Sequence, residues 1–144
     1  MPEKEIEKEI KKEREIEKKN IKLEIKDQIN KGRVYLILKV PEKENEMDTI
    51  EKYVYDYTYY IMNFLGENGI TPEWVQVGNE VSYGVLYPYG SNQTGDFEQL
   101  TAFLNSGYDA VKAVSPNSKV VTHLTHGSGI LHFEWFFSNF ITKC

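Results

Sequence analysis

From Ile50 to Leu65 apolar side chains recur every three or four positions, at Ile50, Tyr53, Val54, Tyr57, Ile61, Phe64 and Leu65. That spacing sets one apolar face on a helix. Asp48 and Glu51 have the N-cap and N3 spacing of a capping box, and Asn68-Gly69 supplies a stop. After Pro72 the pattern turns to alternation, from Trp74 to Asn79, as in a short half-buried strand. A loop over 81–95, rich in tyrosine and glycine, leads to Asp96, a second N-cap with Gln99 at N3. Phe97, Leu100, Phe103, Leu104, Val111 and Val114 form the next helical face, broken at Ser115-Pro116-Asn117. Lys119 to Leu124 reads as another strand. Residues 131–141 read as a last helix, so apolar that burial is expected throughout. Ahead of all these, Arg33 to Val40 is a β-type run that Pro41 ends.

The order after residue 32 is therefore β-α-β-α-β-α, which implies an α/β fold with parallel strands and crossover helices. In such folds the site lies at the carboxyl ends of the strands. Glu80 and His123 fall at such ends, and Glu73 falls at the opposite one. No Gly-rich phosphate loop follows either of the last two strands, which argues against a nucleotide-binding unit.

Composition divides the chain. Of 17 Lys and Arg residues, 13 lie in 1–46, whereas Tyr35 is the lone aromatic there among 19 in the chain. Residues 1–46 thus form a Lys/Glu/Ile low-complexity segment, helical and solvated or disordered, with a coiled-coil partner helix as the other reading. The net charge of -5 argues against a nucleic-acid partner. No apolar run reaches the roughly 20 residues of a membrane helix, and the charged N-terminus is unlike a signal peptide. The one cysteine, Cys144, reports neither a disulfide framework nor a metal cluster.

The chemistry concentrates at Asn79-Glu80. A carboxyl group at the end of a barrel strand can serve as a general acid. Glycoside hydrolysis needs two such groups, about 5–5.5 Å apart when configuration is retained. Tyr83, Tyr87 and Tyr89 offer flat apolar faces with polar tips, suited to a sugar ring, and the Asn79 amide can bond a sugar hydroxyl. A bare Gly-Asn-Glu triplet equally suits a carboxylate that caps a loop or pairs with a cation.

Several spaced motifs occur in one order: Tyr55-Asp-Tyr-Thr58, Gly69-Ile-Thr-Pro72, Val75-Gln-Val-Gly-Asn-Glu80, and Gly84-x-Leu86-x-Pro88-x-Gly90. Ser115-Pro116, Lys119-Val120 and His123-Leu124 follow. Over about residues 47–144 the chain resembles glycoside hydrolase family 53, the arabinogalactan endo-β-1,4-galactanases of (β/α)8-barrel fold. The resemblance implies a partial TIM barrel, about strands four and five with their helices, behind the unrelated segment 1–46. It makes Glu80 the general acid/base and puts Asn79 beside it in the substrate site. His123 takes a fifth-strand position facing the cleft, though a core histidine is the competing reading. His126, with Gly127 to Gly129, lines the cleft loop. The implied partner is β-1,4-galactan, with no cofactor or metal, and the implied location is secreted.

The chain also departs from the family. Tyr87 stands where the family commonly has Trp, and the third-strand His-Tyr-Ser-Asp passage is absent. The family's nucleophile, a glutamate on the seventh strand, has no counterpart here, since Glu98 and Glu134 lie on helices. The expectation is thus a piece of a galactanase barrel, poorly active alone, with a non-catalytic carbohydrate-binding or interaction fragment as the alternative. A helical adaptor built on residues 1–30 is a third class. Asn92-Gln-Thr94 is an N-glycosylation sequon. A metal site from His123, His126 and His132 is disfavoured by spacing across a Gly-rich loop.

Overall fold

A computed structural model describes Lys8, residues 11–16, Lys19, and residues 47–144 apart from His126. The chain divides into two compact units, Met1–Leu38 and Lys39–Cys144. In the first, residues 11–16 are helical and exposed throughout. The expected strand Arg33–Val40, the Asp48 side chain and His126 lie outside the described residues.

The second unit begins with helix α1, Met47–Glu67. Its inward stripe is the one the spacing implies, with Ile50, Val54, Phe64 and Leu65 buried and Met62 added to them. The stop at Asn68-Gly69 is a Schellman turn. Gly69 sits at φ +75, Ile70 N–H donates to Leu65 O (2.9 Å), and Gly69 N–H donates to Gly66 O (3.0 Å). Asn68 Nδ2 adds a bond to Phe64 O (2.7 Å), so the carbonyls of Phe64, Leu65 and Gly66 are satisfied.

Strand β1, Trp74–Gln76, leads through a 3₁₀ turn, Val81–Tyr83, into a small hairpin of β2, Gly84–Val85, and β3, Gly90–Ser91. The hairpin is antiparallel, with Gly84 opposite Ser91 and Val85 opposite Gly90. Gly84 is required at its position. Its φ is +118, and an added Cβ would overlap the Gly90 carbonyl and the Ser91 Cα. Helix α2, Glu98–Val114, follows. Its N-cap position is Phe97, one residue later than the spacing implies, with no side-chain cap bond; Asp96 Oδ1, just ahead of it, accepts from Glu98 N–H (3.0 Å). The reciprocal half of the expected box is not made, because Gln99 Oε1 is buried without a hydrogen-bond partner.

Strand β4, Lys119–Val121, then pairs with β1 in parallel, in the register Trp74–Lys119, Val75–Val120 and Gln76–Val121. Both strands are shorter than the alternation suggested, three residues each. Helix α2 is the crossover between them and packs along α1. Gly107 lets α2 approach the sheet, since a Cβ there would overlap Val77 Cγ1. The core joins Val81, Phe97, Leu100, Leu104 and Phe136.

The final helix α3, Ile130–Phe140, departs from expectation. Phe136 is its one buried residue, while Ile130 and Leu131 are 72% and 77% exposed. An apolar composition demands cover, and among the described residues only the α3 face that meets Phe97 through Trp135 and Phe136 receives it.

Candidate active site

Past the assigned strand ends, β1 and β4 stay tied together. Val81 N–H donates to His123 O (2.9 Å). One residue on, buried Ser82 Oγ accepts from both Thr125 N–H (2.9 Å) and Thr125 Oγ1 (2.8 Å). These bonds hold the carboxyl ends of the two strands side by side and bring Asn79 and His123, 44 positions apart, into contact. His123 Nδ1 lies 3.1 Å from Asn79 Oδ1. His123 is exposed and hydrogen-bonded, so the core-histidine reading does not hold.

Glu80 occupies the step between this pair and the 3₁₀ turn. It is exposed, with φ 51 and ψ 49, a left-handed backbone that a residue with a Cβ adopts at a cost of about 1–3 kcal/mol. It lies four residues past the end of β1, and its turn leads directly into the 3₁₀ helix Val81–Tyr83. Strain of this kind concentrates at functional sites.

Local bonds order the loop that carries the tyrosines. Tyr87 hydroxyl donates to Tyr83 O, and both rings are exposed. Tyr89 is half-buried, with its N–H on Leu86 O (3.0 Å). The loop is anchored from within by Asn92, which is fully buried and donates through Nδ2 to Ser82 O (3.2 Å). That amide nitrogen is the atom a glycan would need, so the sequon at Asn92 is closed in the folded chain.

An open depression of about 450 Å³ adjoins the loop, lined by Tyr83, Gln93 and Trp135. The His132 ring lies between two of its walls, 5.3 Å from the Tyr83 ring and 5.5 Å from that of Trp135. His132 is thus an aromatic spacer, and among the described residues no three His, Cys, Asp or Glu converge as metal ligands. Sequence patterning does not single out Gln76, Ser82, Gln93 or Trp135. Trp135 carries a signal in retrospect, since His132 and Trp135 stand at i and i+3 on an apolar helix and share a face. Gln76 carries none, because its partners are set by a turn and not by a period.

Parallel strands with a helical crossover, and a polar cluster beyond their carboxyl ends, form a β/α unit with polar groups where such folds place a site. Residues 40–143 match the family model for Glycosyl hydrolase family 53, and the chain belongs to that family. The match begins at Val40, somewhat before the motifs quoted above. An arabinogalactan endo-beta-1,4-galactanase A from Emericella nidulans is 36% identical over 84 residues, 57% of this chain and 23% of its own length. Among solved structures, a fungal beta-1,4-galactanase superposes with a TM-score of 0.66 at 27% identity, covering 72% of this chain and 32% of that one. The Ignisphaera aggregans GH53 catalytic domain gives 0.63 at 32% identity, covering 68% and 26%. The chain therefore spans about a quarter of the length of the curated relatives it matches. These neighbours support a partial barrel.

Proposed function

We propose that this chain carries the acid/base portion of an endo-β-1,4-galactanase, which cleaves arabinogalactan or galactan side chains of pectin with retention. The observation that carries the reading is Glu80. It stands in a left-handed turn beyond the carboxyl end of β1, next to the Asn79–His123 bond, in a member of family 53. In this reading Glu80 gives a proton to the leaving glycosidic oxygen and later takes one from water. Asn79 and His123 bind hydroxyl groups of the sugar, and Tyr83, Tyr87 and Tyr89 stack on its apolar faces. His126, which the sequence adds to this group, lies outside the described residues. The nucleophile comes from a seventh-strand glutamate of the barrel, outside these 144 residues. A polysaccharide substrate too large to enter a cell puts the working enzyme outside it. Among the described residues no helix is long and apolar enough to cross a membrane.

The test is reducing-sugar release from linear galactan by three proteins: the 144-residue chain, the chain completed with the remaining family strands, and the completed barrel with Glu80→Gln. The short chain should release little sugar, and the completed barrel should be active. Glu80→Gln should remove about 10²–10⁴-fold of that activity. Full activity in the Glu80→Gln barrel would take Glu80 out of the mechanism.

A second reading, carbohydrate binding without turnover, is favoured by the exposed rings of Tyr83 and Tyr87 beside the depression at Trp135. Retention of the 144-residue chain in a galactan-containing native gel, together with an inactive completed barrel, would favour it.

A further inference from the structure

The strand-end cluster contains a directional hydrogen-bond relay. Gln76 Nε2 lies 2.9 Å from the Gly78 carbonyl oxygen and 3.1 Å from Asn79 Oδ1. The same Asn79 oxygen faces His123 Nδ1 at 3.1 Å. Side-chain amides can be turned over and imidazoles have two tautomers, so each of these assignments needs an anchor. The Gly78 carbonyl is that anchor, because a backbone oxygen only accepts.

We propose that Gly78 O, acting through Gln76 and Asn79, fixes the proton of neutral His123 on Nδ1. The steps are forced in order. Facing a carbonyl oxygen, Gln76 must present its NH₂ group, one N–H to Gly78 O and the other to Asn79. Facing a donor, Asn79 must present Oδ1. Facing that oxygen, His123 must present a protonated Nδ1. Two consequences reach the surface of the site. Asn79 Nδ2 keeps both N–H groups, and His123 Nε2 keeps its lone pair. Among the described residues neither atom has a partner. A ligand group that accepts from Asn79 while donating to His123 fits this pair, and a hydroxyl does both. Gln76 is thus a positioning residue that touches no ligand. Its value to a sugar rests on the galactanase reading, whereas the tautomer does not.

The tautomer can be read directly from long-range ¹H–¹⁵N correlations of the histidine rings in the ¹⁵N-labelled 144-residue chain, at a pH where imidazole is neutral. His123 is assigned by loss of its signals in His123→Gln. The wild-type ring should be mainly Nδ1–H, although an unconstrained histidine favours Nε2–H. Gln76→Glu offers only acceptors, so Asn79 turns its Nδ2 toward residue 76 and His123, and the ring moves to Nε2–H. Gln76→Ala removes the anchor and moves the ring the same way, less completely. A residue that only filled space would produce no such reversal. Because the wild-type spectrum is itself decisive, the proposal does not depend on either variant folding. A wild-type His123 that is mainly Nε2–H overturns it, as does a folded Gln76→Glu chain that stays Nδ1–H. Galactotetraose added to the completed barrel, labelled in the same way, separates the two questions. An Nδ1–H ring that ignores the sugar leaves the relay standing and counts against the galactanase reading.

Discussion

Helices α2 and α3 meet in the same core and are buried to opposite degrees. α2 buries Leu100, Thr101, Phe103, Leu104, Gly107, Ala110 and Val111. α3 has seven apolar residues among its eleven, Ile130, Leu131, Phe133, Trp135, Phe136, Phe137 and Phe140, and buries one. The difference is in what lies against them. α2 has α1 along one side, the strand exit at Val77 against Gly107, and the hairpin near Phe103. α3 meets the core through Phe136 on Phe97, with ring centroids 5.3 Å apart, and through Trp135 on Phe97 at 5.1 Å. Hydrophobicity measures how much a surface gains from being covered. It does not say whether cover is present.

The sharpest way to break this comparison is at the one fully buried residue of α3. Phe136 is fully buried and touches Phe97, Phe137 and Phe140. Phe136→Ala should destabilise the chain by about 3–5 kcal/mol, read as a lower urea midpoint by far-UV circular dichroism. A loss below about 1 kcal/mol, the size of an ordinary substitution, would mean that α3 does not belong to the core.

The close approach of α2 to the strand exit predicts a smaller effect with a built-in control. Gly107→Ala drives a methyl group into Val77 and should cost about 1–3 kcal/mol. Gly66, near the end of α1, has nothing within 4 Å of an added Cβ. There the same substitution should stabilise by up to about 1 kcal/mol, since alanine loses less backbone entropy in a helix. Equal effects at the two glycines would mean that the packing of α2 on Val77 is not what distinguishes it.

Much of this architecture is legible in the sequence, for reasons that are local. The stripe of α1, its Schellman stop and the bond from Glu98 N–H to Asp96 ahead of α2 follow from residue spacing and side-chain chemistry within a few positions. The parallel pairing of β1 with β4 follows from strand-helix-strand order. At the candidate site, Asn79, Glu80 and His123 are proposed because strand ends are where such folds place chemistry. What escapes the sequence depends on distant neighbours. Asn92 reads as an exposed sequon until Ser82 is seen to accept from its amide, ten positions earlier in the chain. Gln76 reads as an outward strand residue until the turn at Gly78 brings Asn79 back to it. The open side of α3 has the same origin, since periodicity marks its apolar residues and leaves their partners unspecified.

The smallest predicted effect tests that open side. Ile130 and Leu131 stand in the first turn of α3, more than two-thirds exposed. Serine at both positions should leave the urea midpoint within about 0.5 kcal/mol per site, because exposed positions contribute little to folding. Apolar surface of this kind also promotes association. The double variant should therefore sediment closer to the 16.8 kDa of a single chain at concentrations where the wild type runs heavier. Urea midpoints and sedimentation velocity at matched concentrations separate the two contributions. A stability loss above about 1 kcal/mol that grows with protein concentration would show a second copy covering Ile130 and Leu131. In that case α3 would be buried like α2, with its cover supplied by another chain.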